Sequence, residues 1–137
     1  MRSAERMSFR PSAAGAVRGV LATALTGMGI LHFVPGSART MAAIIPPALH
    51  GHGLRSPASL VRVTGLCELA GAAGLLAPGT RRTAGAALLA FYAAVFPANA
   101  YAAKHPDRFG ALAVPFVPRL AGQIALGALT AFAAFRR

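Results

Sequence analysis

The chain has 137 residues, of which 55% are hydrophobic and only 12% are charged. Soluble domains carry about 25% charged residues, so this apolar excess excludes an ordinary soluble domain and indicates a membrane protein with one domain. The 14 Lys and Arg residues and three acids give a formal charge of +11. They are scattered between apolar blocks without a nucleic-acid-binding motif, so we expect no nucleic-acid partner and interpret the charge as contact with anionic lipid headgroups.

The N-terminal segment 1–12 is polar and basic and is predicted to be cytoplasmic. Residues 13–34 follow almost without charge, which is long enough for a helix that crosses the hydrocarbon core. Because this run exceeds the roughly 7 to 15 apolar residues of a signal peptide, we interpret it as a retained first span. The next segment, 35–57, is too polar and too rich in proline to span. Within it, Ser37 is predicted to cap a short amphipathic helix that ends at Ile45.

Three further apolar segments have spanning length, at 59–77, 83–103 and about 117–135. The short turn Pro78–Arg82 makes the second and third spans antiparallel neighbours. Pro97 is predicted to bend the third span and to free the carbonyl of Ala93. We therefore predict an all-α fold: a transmembrane antiparallel four-helix bundle over residues 13–137, with a structured outer loop between the first two helices.

Basic residues on the two sides of the membrane predict the orientation. With the N-terminus inside, the cytoplasmic side holds eight of them: Arg2, Arg6, Arg10, Arg18, Arg81, Arg82, Arg136 and Arg137. The outer side holds six: Arg39, Arg55, Arg62, Lys104, Arg108 and Arg119. This bias favours a multi-pass protein of the cytoplasmic membrane with both termini in the cytoplasm.

Glu68 is the one carboxylate within the predicted spans. A charge at that depth costs about 2.5 to 3.5 kcal/mol, so such a residue marks a candidate functional site. Steps of three and four residues from Glu68 reach small residues: Thr64, Gly65, Gly71 and Ala72. Small residues line helix contacts in membranes, so Glu68 is predicted to face the interior of the bundle.

Four other polar residues complete a candidate intramembrane site with Glu68: His32, Tyr92, Asn99 and Gln123. Counted from the helix ends, Glu68 lies about 14 Å deep and His32 about 3 Å deep. We therefore expect no direct contact between these two side chains and predict Asn99 or Gln123 as the neighbours of Glu68. Because the long loops and most of these polar residues fall on the outer side, a site is predicted to open outward.

Two interpretations of Glu68 stay open. It is either a proton acceptor or ligand anchor, or a protonated side chain that joins helices by hydrogen bonds to Asn99 or Gln123. The loop histidines His50, His52 and His105 do not form a recognisable ligand set, so we expect no metal. We also expect no haem on His32. The absence of a nucleophile motif argues against a hydrolase.

Several short motifs in their order along the chain resemble the DoxX-type family of small membrane proteins. They are GMGILHF at 27–33, Ile45–Pro47, GLCELAGAAGLL at 65–76, the turn 78–82 and VFPANAY at 95–101. The resemblance implies a four-helix transmembrane bundle in the cytoplasmic membrane, with His32, Glu68 and Asn99 at positions of the shared pattern. The family takes its name from a subunit associated with a quinol-oxidising complex, and relatives accompany thiol and sulfur redox enzymes. This chain has a single cysteine, so a direct thiol relay is not expected.

The first functional hypothesis is an accessory or assembly component of a membrane redox system, without a cofactor or catalytic activity of its own. Its expected partners are the lipid bilayer and a membrane or extracytoplasmic redox protein, and a homo-oligomer is compatible with its small-residue faces. The alternative is a subunit with a quinone or small-substrate site, in which Glu68 accepts a proton and Asn99 and Tyr92 supply hydrogen bonds. A small transporter is a third hypothesis, which the apolar inner halves of the spans do not favour.

Overall fold

The computed structural model describes residues 12–137, and every regular element in that range is a helix. The helices are α1 (Ala13–Leu31), α2 (Pro35–Ala43), α3 (Pro57–Leu76), α4 (Arg81–Ala103), α5 (Pro106–Phe109) and α6 (Phe116–Phe135). Single 3-10 turns occur at Pro47–Leu49, Gly53–Arg55 and Gly110–Leu112. The predicted basic segment 1–12 lies outside the described residues, apart from Ser12.

Four helical segments are long and apolar enough to cross a membrane, judged by length and composition. They are Ala13–Leu31, Pro57–Leu76, Arg81–Ala103 and Pro106–Phe135, of which the last contains α6. The prediction of an all-helical chain with four long apolar helices is therefore confirmed for the part of the chain that the structure describes.

Local capping chemistry sets the ends of the long helices. The hydroxyl of Ser56 accepts a hydrogen bond from a backbone amide in the first turn of α3, and Pro57 occupies its first position. Serine caps and proline at the first position both favour helix starts, so α3 begins two residues before the predicted 59. Helix α1 ends at Leu31, before the predicted 34, because the chain turns at His32 and Pro35 begins the next helix.

Helix α2 differs from its prediction at both ends. Ser37 is not the N-cap: Val34 holds that position and Pro35 is the first helical residue. Proline is favoured there because its fixed φ suits a helix and its missing N–H would be unpaired anyway. The helix ends at Ala43 rather than Ile45, ahead of Pro46. It packs against α3.

The four long helices form a ring in which α1 and α4 each contact both α3 and α6. Along the helix axes, one half of this ring contains the core, to which all four helices contribute. The core consists of Leu21, Ala22, Leu25, Ala72, Leu75, Leu88, Tyr92, Ala133 and Ala134. We call this region the closed half. The helices approach closely there because of small residues: a Cβ on Gly71 would lie 2.5 Å from a methyl carbon of Leu88.

Two arginines bind the ends of helices in the closed half. Arg18 Nη1 donates to the carbonyl oxygen of Ala133 at 2.8 Å, and Arg81 Nε donates to that of Leu75 at 3.3 Å. These carbonyls lie in the last turns of α6 and α3, where no further backbone amide is available. A cation is also favoured at the negative end of the helix dipole. The arginines thus complete the hydrogen bonding of both helix ends.

Candidate functional site

The other half of the ring along the helix axes lines a cavity of about 540 Å³. We call it the cavity half. Residues of α2 and its following turn, including Met41 and Ile45, line the cavity, and so do core residues such as Leu25. Most of the lining side chains are aliphatic or aromatic. The volume lies within the roughly 300 to 1,000 Å³ of small-molecule sites.

All five residues of the sequence-predicted site line this one cavity: His32, Glu68, Tyr92, Asn99 and Gln123. They come from α3, α4 and α6 and, for His32, from the residue that follows α1. The structure thus brings the predicted group together. Their role in function stays a prediction, and their contacts differ from those expected.

Glu68 contacts His32, so the expectation that the two side chains are too far apart is wrong. His32 Nδ1 lies 3.3 Å from Glu68 Oε2 and 2.8 Å from the carbonyl oxygen of Met28. Because a carbonyl oxygen only accepts, Nδ1 carries a hydrogen and donates it to Met28. Oε2 of Glu68 is buried and has no hydrogen-bond partner among the described residues. Glu68 therefore lines the cavity with one carboxylate oxygen that is buried and forms no hydrogen bond.

The depth estimate failed because the ends of α1 and α3 are not level. His32, at the end of α1, lies beside Gly65, where an added Cβ would be 2.6 Å from His32 Cβ. Gly65 stands eight residues after Pro57, so the first two turns of α3 extend beyond α1. Glu68 follows Gly65 by one turn and therefore reaches His32. Only glycine permits this approach of the two helices.

Neither amide side chain forms a hydrogen bond with Glu68 in the described structure, in contrast to the interpretation in which Glu68 joins helices by such bonds. Asn99 Oδ1 accepts a hydrogen bond from Arg119 Nη1 at 2.7 Å. Gln123 Nε2 donates to the backbone carbonyl oxygen of Tyr92 at 2.7 Å. This carbonyl lies next to that of Ala93, the one predicted to be freed by the proline within α4. Both amides therefore link α6 to α4.

Arg119 bonds to a cavity-lining residue, Asn99, and its contacts were not predicted. Its guanidinium bonds the side chain of Asn99 and also the carbonyl of Leu112, in the turn that precedes α6. The available signal was its position four residues before Gln123, on the same helix face. Arg119 thus ties the start of α6 both to α4 and to the preceding turn.

Tyr92 separates the cavity from the closed half. Its side chain lines the cavity, while its hydroxyl lies 3.1 Å from the hydroxyl of Thr130, a residue with 0% exposure. The hydroxyl is therefore engaged with α6 and not with Glu68. Thr130 shares a helix face with Gln123, which is the sequence signal that could have identified it.

Within residues 12–137, no three His, Cys, Asp or Glu side chains lie close enough together to hold a metal ion. Two of the loop histidines contact backbone carbonyls instead. His50 Nε2 lies 3.0 Å from the oxygen of Ile45, and His105 Nδ1 lies 2.7 Å from that of Tyr101. The polar side chains that line the cavity are capable of hydrogen bonding and proton exchange, and the rest of the lining is mostly apolar.

Long apolar helices around a cavity with a few polar groups define the class: a helical protein with four candidate membrane-spanning helices. The chain belongs to the family described as "Domain of unknown function (DUF8561)", which matches residues 21–134. That range includes all five polar cavity residues. Searches among curated proteins and among solved structures found no match to the chain.

Proposed function

We propose that the chain is an integral protein of the cytoplasmic membrane, folded as an antiparallel four-helix transmembrane bundle of the DoxX type. The helix lengths support insertion: 19 to 23 residues for α1, α3 and α4 correspond to about 29 to 35 Å, close to the thickness of the hydrocarbon core. Large apolar side chains point outward, among them Val20 at 70% exposure and Ile124 at 64%. Lipid would cover these side chains, whereas water would leave them solvated at a cost.

The distribution of charge supports an orientation with both termini in the cytoplasm. Arg18 and Arg81 belong to the closed half, and Arg136 and Arg137 follow the end of α6. Positive residues favour the cytoplasmic side. In this orientation the closed half faces the cytoplasm, and the cavity half with α2 faces outward.

Within this framework the cavity binds a quinone-type molecule, and the protein serves a membrane redox system as its binding subunit. The observation that carries the proposal is the mostly apolar cavity of about 540 Å³ with Glu68 among its lining residues, a carboxylate whose buried Oε2 has no hydrogen-bond partner in the described chain. A ring with polar substituents fits an apolar enclosure with few polar groups. Electron transfer belongs to a partner redox protein, and Glu68 is the proton acceptor for a hydroxyl of the bound molecule.

The accessory or assembly role and the transporter are weaker alternatives. An assembly factor requires contact surfaces and gives no reason for a cavity with converging polar side chains. A transporter requires a polar path through the closed half, where the core is apolar and Arg18 is bonded to the end of α6. Neither alternative uses the cavity as well as ligand binding does.

Binding to purified protein tests the proposal. The full chain in detergent is dialysed against a decyl-substituted benzoquinone and its hydroquinone, with Ala98→Trp to fill the cavity and Ala93→Trp as control. Ala98 lines the cavity, whereas Ala93 is an exposed residue of the same helix outside it. We expect saturable binding to the wild type and to Ala93→Trp, and its loss in Ala98→Trp. Absence of binding to folded wild type, together with co-purification of a redox partner, would favour the assembly role instead.

The role of Glu68 needs a separate measurement. Glu68→Gln keeps the size of the side chain and removes its ability to take a proton. In membranes reconstituted with the redox partner, we expect this variant to bind the hydroquinone but to lose most quinone-linked electron transfer. Unchanged electron transfer would reduce Glu68 to a structural residue.

A further inference from the structure

We infer that the cavity selects the hydroxyl-bearing, reduced form of its ligand over the carbonyl form, because Asn99 and Gln123 present a fixed pair of opposite hydrogen-bonding groups. This inference rests on the proposed binding of a quinone-type molecule and names the form that the site prefers. It follows from the partners that hold the two amides, whose chemistry leaves one orientation for each.

Asn99 presents a donor. Its oxygen accepts from the guanidinium of Arg119 at 2.7 Å, and a guanidinium has donors only. The amide oxygen must therefore face Arg119, although oxygen and nitrogen of an amide are otherwise hard to tell apart. No described residue accepts a hydrogen bond from the Asn99 amide nitrogen. As a cavity-lining residue, Asn99 has that N–H group available to a ligand oxygen.

Gln123 presents an acceptor, because in its case the amide nitrogen is the atom that a protein partner holds. Its nitrogen donates to the backbone carbonyl of Tyr92 at 2.7 Å, and a carbonyl oxygen only accepts. The amide nitrogen must therefore face α4. No residue of the described chain donates to the Gln123 side-chain oxygen, and Gln123 also lines the cavity.

These two groups distinguish a hydroxyl from a carbonyl. In the proposed complex one ligand oxygen lies against both amides. A carbonyl oxygen in that position accepts from Asn99 but faces the oxygen of Gln123, which is another acceptor. A hydroxyl in that position accepts from Asn99 and donates to Gln123. An acceptor left unpaired in a desolvated site lowers the affinity by roughly 5-fold to 150-fold.

Three probes test the preference on the purified full chain in detergent: a decyl-hydroquinone kept reduced without oxygen, the matching quinone, and the dimethyl ether of the hydroquinone. The dimethyl ether keeps the ring and both oxygens but has no hydrogen to donate. We expect the hydroquinone to bind about tenfold more tightly than either other probe. Dissociation constants are compared as ratios within one protein preparation, so that partial unfolding of a variant does not affect the result.

Two variants move this ratio in opposite directions. Gln123→Leu removes the acceptor, and we expect the preference for hydroquinone over quinone to fall about tenfold. Asn99→Asp keeps an oxygen for Arg119 but replaces the donor with an acceptor. We expect it to weaken the quinone more than the hydroquinone and so to increase the preference. A quinone that binds as tightly as the hydroquinone to the wild type would overturn this inference alone, whereas no binding of any probe would overturn the proposed function itself.

Discussion

The closed half and the cavity half use the same four helices in different ways. In the closed half, Leu75 and Leu88 are 0% and 2% exposed, and Gly71 of α3 lies against Leu88 of α4. In the cavity half, no residue of α6 before Thr130 is buried. Two hydrogen bonds, made by Asn99 and Gln123, connect α6 to α4 there, together with an edge-to-face contact between Phe116 and Phe96. The comparison teaches that the same four helices form a packed core at one end and a candidate binding cavity at the other.

The largest expected effect comes from enlarging a glycine in the closed half. Gly71→Leu forces new atoms against Leu88, since a Cβ alone would lie 2.5 Å from its Cδ2. We expect a loss of about 3 kcal/mol in the free energy of unfolding, measured by denaturant titration in detergent. Gly27→Leu in α1 is the control, because a Cβ there meets no atom within 4 Å. Equal stability of the two variants would contradict the described contact between α3 and α4.

An intermediate effect is expected at the helix ends of the closed half. Arg18→Leu removes the donor to the carbonyl of Ala133, and hydrogen bonds that involve a charged group contribute about 1.5 to 3 kcal/mol. Because Arg18 is only partly buried, we expect the free energy of unfolding to fall by about 1.5 kcal/mol. Arg82→Leu is the matched control, since this exposed arginine makes no side-chain hydrogen bond in the described chain. A larger loss in Arg82→Leu would show that net charge, and not this bond, matters.

A smaller effect is expected at the boundary of the two halves. Tyr92→Phe removes the hydroxyl bonded to Thr130 and should cost about 1 kcal/mol, because the buried threonine hydroxyl loses that partner. The double variant with Thr130→Val should recover part of this loss, since both polar groups are then absent. A thermodynamic cycle of unfolding free energies isolates the coupling. Additive losses in that cycle would argue against the bond.

The smallest effect on stability is expected inside the cavity. Ala98→Leu adds apolar atoms to a space of about 540 Å³, so we expect the free energy of unfolding to change by less than about 0.5 kcal/mol. This contrasts with the glycine enlargement in the closed half and is measured by the same titration. A loss comparable to that of Gly71→Leu would mean that the cavity half is as tightly packed as the closed half.

Much of the fold follows from the sequence because long apolar segments and their proline or serine boundaries are local signals. Helix α4 begins and ends within two residues of the predicted 83–103. Helix α3 begins before the predicted residue 59, because Ser56 as cap and Pro57 as first residue favour a helix start there more than the change in hydropathy does. In α2, the preference of Pro35 for the first helical position outweighed the capping preference of Ser37.

The sequence also predicted that these polar residues lie together, whereas it did not predict their pairings. Helical periodicity was enough to group Glu68 with the residues that line the cavity. The contact with His32 depends on how far α3 is shifted along α1, and that shift is set by the backbone approach at Gly65. The partners of Asn99 and Gln123 depend on the position of α6 relative to α4. Such axial shifts arise from tertiary contacts that periodicity does not contain.

Burial is uneven along α6, because its buried residues all lie near its C-terminal end. Its last turns are anchored by Thr130 and the buried alanines that follow. Its first turns are held on α4 by the hydrogen bonds of Arg119 and Gln123 and by the contact of Phe116 with Phe96. Because no residue of these first turns is buried, we expect the start of α6 to separate from the bundle more easily than its end. In a membrane, such a separation would admit a ligand sideways from the lipid, without passage through water.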